Sequence, residues 1–376
     1  MRLMIACRAI DNMAGGVERQ AILLANEMTL RGHHVSLLTL DSKDAQAFYD
    51  IDDNVPWYKL GLGDPKKKAG WVLRLKRMEK VRRIMKEFSP DVILAFQQGM
   101  FLTLRLYMAG MGIPVVAAER ESPFRYDFTR AGKRRHLVFQ TFRLAPHITV
   151  QCESYVNAYP GYLRPKITVI PNSVFPAGQS ASPAGKDIHE KILLCVGRLG
   201  YQKNQLVLVE AFSQLADDFP QWRLVLAGEG EDRENIERQI KKFNLEDKIE
   251  LLGAVKNVSD LYINAHVLCI PSRWEGFPNV LGEAFAHGLP AVGYEGCGGV
   301  RDLIEHGKNG LLAKGNGNTE SLYEALRTIM SNDDQRNAMG QYAIQSIHVY
   351  APDKIYDQWE NFLNEANKGN NTSMAA

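Results

Sequence analysis

Short apolar runs alternate with segments of helical period along almost the whole chain, and that alternation predicts the fold. An apolar run bounded by turn residues reads as a buried strand. Strands interleaved with amphipathic helices build parallel sheets from βαβ units. In the first half the predicted strands are Arg2–Cys7, His34–Leu40, Asp91–Phe96, Pro114–Glu119, His147–Cys152 and Lys166–Ile170. In the second half they are Lys191–Gly197, Trp222–Gly228, Lys248–Gly253, His266–Ser272, Pro290–Tyr294 and Gly310–Ala313. Helical periodicity fills the gaps, as at Gln205–Phe219, Asp232–Phe243 and Thr319–Met330.

The two series are separated by Pro171–Glu190, which holds Pro176, Gly178, Ser180, Ser182, Pro183 and Gly185, the composition of an exposed linker. The expected fold class is α/β: a Rossmann-like domain over 1–172, a linker over 173–190 and a second Rossmann-like domain over 191–351. A last helix over 352–366 is expected to pack back on the first domain, and the polar tail 367–376 to be disordered. Two such domains facing each other would bring the carboxyl ends of both sheets to one cleft, where doubly wound folds bind ligands.

At 376 residues the chain is long enough for two domains, and 45% apolar with 23% charged residues is a globular composition. A net charge of +2 removes a polyanionic partner as the default, and no nucleic-acid-binding module is recognisable. Cys7, Cys152, Cys195, Cys269 and Cys297 show no CxxC pair or metal-ligand spacing and read as small buried residues in a reducing compartment. No stretch reaches the ~18 apolar residues of a membrane span, and Arg8 interrupts the N-terminal run too early for a signal segment. A cytoplasmic location is expected, which makes the sequons at Asn370 and Asn371 irrelevant.

The densest candidate chemistry lies in the second half. The segment Pro271 to Glu283 follows a strand and opens a helix, with Pro278 suited to the first turn and Gly288 and Pro290 to the stop. Its free N–H groups and positive dipole end form a site for an anion such as a diphosphate. Glu275 lies just before that helix and Glu283 one turn inside it, where carboxylates can accept hydrogen bonds from paired sugar hydroxyls. Singly, Glu275 reads as a helix-start acid and Glu283 as a solvated helix residue. Jointly, Glu275-Gly276-Phe277-Pro278-Asn279-Val280-Leu281-Gly282-Glu283 resembles the E-x7-E signature of glycosyltransferase family 4.

Other segments resemble that family too. Gly197-Arg198 through Lys203-Asn204 is similar to its G-R-x-x-x-x-K-[NG] element, whose Arg and Lys neutralise the donor diphosphate. Arg198 and Lys203 also fall on the first βα loop of their domain, the usual phosphate position. Gly228-Glu229-Gly230-Glu231 is similar to the family's G-[DE]-G-x turn, and Leu251-Leu252-Gly253-Ala254-Val255 to the loop that carries the nucleobase through backbone groups. Gly15-Gly16-Val17-Glu18-Arg19 resembles the G-G-x-E-R loop on the phosphate side of the first domain. A G-x-G-x-x-G dinucleotide fingerprint is absent, which disfavours an NAD-linked oxidoreductase.

The resemblance implies a GT-B fold and a retaining, metal-independent glycosyltransferase. Its donor would be a nucleotide-sugar, UDP-linked by frequency. Its acceptor would be a glycan or lipid-linked saccharide in assembly of a bacterial surface polysaccharide. It implies catalytic roles for Glu275, Arg198 and Lys203. Donor contacts would come from Gly15, Gly16, Gly228, Val255, Glu275, Gly276, Phe277, Pro278, Asn279, Val280, Leu281 and Glu283. No cofactor is implied. One departure is that Ala118-Glu119-Arg120-Glu121 stands where many members carry a His, which makes Arg120 and Glu121 candidates for acceptor or sugar contact. Asp50-Ile51-Asp52 spells the metal motif of a different glycosyltransferase fold, but it lies alone in a polar loop.

The run 66–86 is strongly basic, with Trp71, Val72, Leu75, Met78 and Ile84 interleaved, and a second basic cluster spans 130–142. Each reads either as a solvated helix face over a core or as a peripheral contact with anionic membrane. Rival functions are a sugar-nucleotide 2-epimerase, which lacks this E-x7-E helix, and a non-catalytic binding module, against which the intact Arg198, Lys203, Glu275 and Glu283 argue.

Overall fold

A computed structural model describes residues 1–185 and 190–374 of the chain, in two compact units. The first comprises Met1–Glu121, Arg130–Asn172 and Asp353–Ala376; the second comprises Ser122–Thr129 and Ser173–Pro352.

The sheet of the first unit has seven strands: β1 (Arg2–Ala6), β2 (His34–Thr39), β3 (Trp57–Lys59), β4 (Val92–Phe96), β5 (Val115–Ala118), β6 (Ile148–Val150) and β7 (Ile167–Val169). They run parallel in the order β3-β2-β1-β4-β5-β6-β7. The sheet of the second unit has β8 (Lys191–Val196), β9 (Trp222–Ala227), β10 (Ile249–Gly253), β11 (Val267–Ile270), β12 (Ala291–Tyr294) and β13 (Gly310–Ala313). These are parallel in the order β10-β9-β8-β11-β12-β13. Helices cover both faces of a parallel sheet, so strands such as β4 and β11 are buried at every position and read as unbroken apolar runs. Both sheets are Rossmann-like. Their strand order reverses between β1 and β4 in one and between β8 and β11 in the other, the switch points beside which such folds bind ligands.

Three expectations are corrected. The segment 173–190 is not a free linker: Val174 is buried with its N–H on the Tyr350 carbonyl, the Ala181 N–H donates to His287, and buried Arg336 donates to the Pro183 carbonyl. Residues 186–189 of that segment lie outside the described residues. The tail is not wholly disordered either, because the last helix spans Pro352–Met374. Ile355, Tyr356, Trp359, Phe362, Leu363 and Ala366 form one buried seam along it, and extending a helix so anchored costs little beyond its nucleation. That helix packs on the first unit, where Asp357 and Glu360 hold Arg31 at 2.6 and 2.9 Å. Finally, Ser122–Thr129 groups with the second unit: Phe128 stacks on Trp274 at 5.6 Å, and Arg301 lies over Phe124 at 5.7 Å.

Candidate active site

A dense polar network lies at the switch point of the second sheet. β8 and β11 are neighbours, so the loops leaving their carboxyl ends, 197–204 and 271–278, meet. Several hydrogen bonds stitch them together. The Arg273 N–H donates to the Gln202 carbonyl (2.8 Å), Gln202 Nε2 to the Trp274 carbonyl (2.9 Å), Asn204 Nδ2 to the Pro271 carbonyl (3.2 Å) and Arg273 Nη2 to Asn204 Oδ1 (2.7 Å). Asn204 holds φ +58, a left-handed conformation that asparagine tolerates, and starts the helix Gln205–Ser213.

Within this frame Lys203 Nζ donates to Glu275 Oε1 at 2.7 Å, and Ser272 Oγ donates to the same oxygen at 2.6 Å. The Glu275 side chain is only 7% exposed, so its charge is held by a cation and a hydroxyl instead of water. Cys195, at the end of β8, has its thiol pushed up to about 12 by burial, with Glu275 adding to the effect and Lys203 opposing it. It stays protonated and is no nucleophile. Arg198 is exposed, and its guanidinium makes no hydrogen bond among the described residues. The helix Asn279–Ala286 begins beside Glu275 with no side-chain cap hydrogen bond at Pro278. Its first-turn dipole is therefore not quenched by a side chain of its own cap. Glu283 lies one turn in, half-exposed, where Tyr262 donates its hydroxyl to Oε2 at 3.0 Å.

The glycine turn supports this loop. Gly228 has φ +146, and a Cβ there would sit 2.1 Å from the Gly197 carbonyl oxygen. The Leu199 N–H donates to the Glu229 carbonyl at 2.9 Å. Gly228 thus sets the height of the Arg198 loop. Val255 follows β10 and is half-exposed.

Not every expected donor contact is open to a ligand. Phe277 and Leu281 are buried, Phe277 packs on Tyr350 at 5.5 Å, and the Leu281 N–H is taken by the Pro278 carbonyl. Pro278 is buried too. The apolar residues that space the motif are core, while Gly276, Asn279, Val280 and Glu283 form its half-exposed face.

In the first unit, Gly15 and Gly16 open the helix Gly16–Leu30, and the Glu18 carboxylate folds back against Gly15. Burial raises the Glu18 pKa above the ordinary carboxylate value. Arg120 contradicts its assignment as an acceptor or sugar contact. It is 4% exposed, donates to the Ile170 carbonyl (3.1 Å) and Thr149 Oγ1 (2.8 Å), and lies over Trp359 at 4.9 Å. It braces the core. Glu121 stays half-exposed, its N–H donating to Glu119 Oε1 at 3.2 Å. Asp52 accepts from the backbone and side chain of Asn54 at 2.8 and 3.0 Å, a local turn. Among the described residues no group of three or more His, Cys, Asp or Glu is placed to hold a metal ion, and no helix is long and apolar enough to cross a membrane.

Ser272, Gln202 and Tyr262 carry no motif in the sequence, while Asn204 stands at the last position of the G-R-x-x-x-x-K-[NG] element. Ser272 could have been found, since it stands three residues before Glu275 in the same segment.

Two Rossmann-like units, one with cations, carboxylates and a helix N-terminus at its switch point, present the groups that a phosphorylated, hydroxyl-rich ligand would need. The model described as Glycosyltransferase Family 4 matches residues 14–177, and that described as Glycosyl transferases group 1 matches residues 180–346. The chain belongs to the family 4 glycosyltransferases and has their GT-B fold. It is 26% identical to an uncharacterized glycosyltransferase of Haemophilus influenzae, over 93% of this chain and 96% of that one. It is 23% identical to an α-1,4-N-acetyl-D-galactosaminyltransferase of Campylobacter jejuni named for a diphospho-undecaprenol-linked saccharide, over 94% and 96%. Among solved structures, sucrose-phosphate synthase from Thermosynechococcus elongatus matches with a TM-score of 0.82 at 18% identity, covering 97% of this chain and 98% of that one. Anabaena HepE in complex with UDP and glucose matches with a TM-score of 0.77 at 19% identity, covering 96% and 99%.

Proposed function

We propose that this glycosyltransferase moves a hexosyl or N-acetylhexosaminyl group from a UDP-sugar to a glycan or lipid-linked saccharide, with retention and without a metal ion, in the assembly of bacterial surface glycans. The observation that carries this reading is the Lys203–Glu275 pair beside the start of the helix Asn279–Ala286. Lys203, Arg198 and the helix end receive the diphosphate. Glu275 grips the donor sugar's hydroxyls, Glu283 the ribose, and backbone around Val255 the base. The Campylobacter relative's name specifies an α-linked product on a diphospho-undecaprenol acceptor, and the Anabaena structure holds UDP with glucose. With a donor whose sugar is α-linked to UDP, an α-linked product of this kind is the retaining outcome.

In the proposed step the acceptor hydroxyl attacks C1 on the face the diphosphate leaves. The C1–O bond to phosphate breaks, the C1–O bond to the acceptor forms, and the hydroxyl proton passes to the departing phosphate oxygen. Lys203 and Arg198 stabilise the charge that grows on that phosphate, which lowers the barrier without a Lewis acid. Peripheral contact with anionic membrane through 66–86 and 130–142 would suit a lipid-linked acceptor. Flotation with anionic liposomes tests it, and equal recovery without anionic lipid would refute it.

The test of the chemistry is a screen of UDP-sugars with a diphosphate-lipid acceptor, in EDTA, with the product's anomeric configuration read by NMR. An α-linked product in EDTA is expected. A β-linked product would overturn retention, and activity that vanishes in EDTA and returns with a divalent cation would overturn metal independence. Conversion of the UDP-sugar without acceptor would favour the epimerase instead.

A further inference from the structure

The first unit carries a cavity that the donor chemistry does not use. It measures about 350 Å³ and is lined by Arg8, Lys67, Lys68, Arg74 and Arg77, with no acidic residue among the described residues that line it. That volume is at the small end of ligand pockets, enough for a headgroup. Arg8 follows β1, while Arg74 and Arg77 lie on the helix Trp71–Phe88. Each of the three arginines commits its Nε to a carbonyl of the 62–69 loop: Arg8 to Pro65 at 2.7 Å, Arg74 to Ala69 at 3.0 Å and Arg77 to Leu62 at 2.9 Å. The loop therefore fixes the guanidinium planes, and the terminal amino groups of Arg8 and Arg74 make no hydrogen bond among the described residues.

Arg77 is the informative one. It is 5% exposed, it forms no ion pair among the described residues, and its Nη2 is buried without a hydrogen-bond partner. A guanidinium so withdrawn keeps its positive charge in the cavity wall without a neutralising carboxylate among the described residues. The complement to several arginine forks and two ammonium groups is a compact multivalent oxyanion, since forks match phosphate oxygens in pairs.

The surroundings say how that anion arrives. Leu106, on the cavity wall, is 60% exposed. Trp71, Val72 and Leu75, in the first turns of the helix that carries Arg74 and Arg77, are 75%, 48% and 50% exposed. Farther along the same helix Val81, Ile84, Met85 and Phe88 are buried as an ordinary core seam. Only the end beside the cavity shows apolar side chains to solvent. A free anion has no use for them, whereas an anion on a hydrocarbon chain does, and a Trp among cations suits the level of lipid headgroups.

We infer that this cavity binds the diphosphate of a lipid-anchored acceptor, with its chain or the surrounding leaflet lying against Trp71, Val72, Leu75 and Leu106. The inference rests on the lipid-linked acceptor proposed above and adds a second phosphate site, on other residues than the donor motif of the second unit.

The test is co-sedimentation of the full chain with phosphatidylcholine vesicles holding polyprenyl diphosphate. The controls are vesicles brought to the same surface charge with phosphatidylglycerol, and inorganic pyrophosphate as competitor. Preferential recovery on the diphosphate vesicles and displacement by pyrophosphate are expected. Arg74→Gln and the double variant Lys67→Ser/Lys68→Ser, both at exposed positions, should each weaken recovery by roughly tenfold or more, the scale of losing a charge-assisted hydrogen bond. Arg77→Lys, which keeps the charge but not the fork, should do the same. UDP binding, measured on every variant, should not change. If UDP fails to bind while diphosphate vesicles are still captured, the donor reading falls and this one stands. Equal recovery on phosphatidylglycerol vesicles, pyrophosphate binding without any lipid preference, or exposed-position variants that bind like the parent would each overturn the inference.

Discussion

The ammonium of Lys203 lies 2.7 Å from a carboxylate oxygen of Glu275, across the loops that leave β8 and β11. The pair joins the two halves of the donor motif. A carboxylate this deep, fixed by Lys203 and Ser272, does not swing freely. Lys203→Ala should lower kcat by about 10²–10³, the range for removing one donor that stabilises a growing oxyanion. Because the two groups act as a unit, Lys203→Ala/Glu275→Ala should be little worse than the poorer single variant. Steady-state kinetics on the four proteins of the cycle decide it. Strictly additive losses would show that the ion pair has no part in catalysis.

Tyr262 is 1% exposed and donates its hydroxyl to Glu283 at 3.0 Å, while the ring of His287 packs on it at 5.2 Å. Tyr262→Phe keeps the packing and removes only the hydrogen bond, worth about 0.5–1.5 kcal/mol. If Glu283 grips the ribose, donor KM should rise several-fold and kcat should hardly move. A fall in kcat with KM unchanged would assign Glu283 to the chemical step instead.

How legible the molecule was depends on what each residue does. Strands β4 and β11 are buried on both faces, so burial itself wrote continuous apolar runs into the sequence. β3 was missed because Trp57, Tyr58 and Lys59 are all half-exposed and make no run. The donor motif was readable because Lys203, Glu275 and Glu283 are charged residues at fixed spacings on loops. Ser272, Gln202 and Tyr262 act through hydrogen-bond geometry that only the tertiary fold creates, and their residue types carry no pattern. Arg120 was misread for a related reason. An arginine just past a strand looks accessible, yet its acceptors come from Thr149 and Ile170, and its aromatic platform from Trp359 near the far end of the chain.

Arg120 should accordingly behave as a structural residue. Its pKa is brought down to about 10, burial outweighing the favourable charge of Glu119, and its Nε alone finds no acceptor among the described residues. Arg120→Ala would strand Thr149 and the Ile170 carbonyl and leave a void beside Trp359, at a cost on the order of 2–4 kcal/mol. Urea titration should show the loss, with acceptor KM unchanged in whatever protein remains folded. A variant of parental stability with a raised acceptor KM would restore the residue to the site.

Gly228→Ala tests the buttress under the Arg198 loop. The new Cβ would fall 2.1 Å from the Gly197 carbonyl oxygen, and φ +146 is unfavourable for any side chain. Backbone must shift, at about 1–3 kcal/mol for an overpacked position. Melting temperature should drop and UDP affinity should weaken with it, because Gly197 and Leu199 carry Arg198. Unchanged nucleotide affinity in the folded variant would disconnect the turn from the site.

The last prediction concerns pH and lies away from the donor motif. His266 is 8% exposed, its Nδ1 accepts the Ile192 N–H at 3.0 Å, and its ring meets Trp222 edge-on at 6.0 Å. Burial, helped by the nearby charges of Arg336 and Lys191 and opposed by Asp333 and Glu190, brings its pKa down from 6.5 to about 4. Protonation at Nδ1 would also break the bond to Ile192. The unfolded chain takes up this proton near pH 6.5 and the folded chain only near 4. Between those values the unfolded state therefore binds more protons, and stability falls as pH falls. The contribution is complete above pH 6.5 and is lost through that window, on the order of 2–3 kcal/mol by its lower end. Asp333, whose pKa is held low by Lys191 and Arg336 against its own desolvation, loses its contribution in a separate window below its ordinary value. In urea titrations at stepped pH, His266→Asn, which can still offer an acceptor to Ile192, should flatten the slope between pH 6.5 and 4.5 and leave the more acidic limb intact. Identical slopes in parent and variant over that interval would mean that His266 is not the group being titrated.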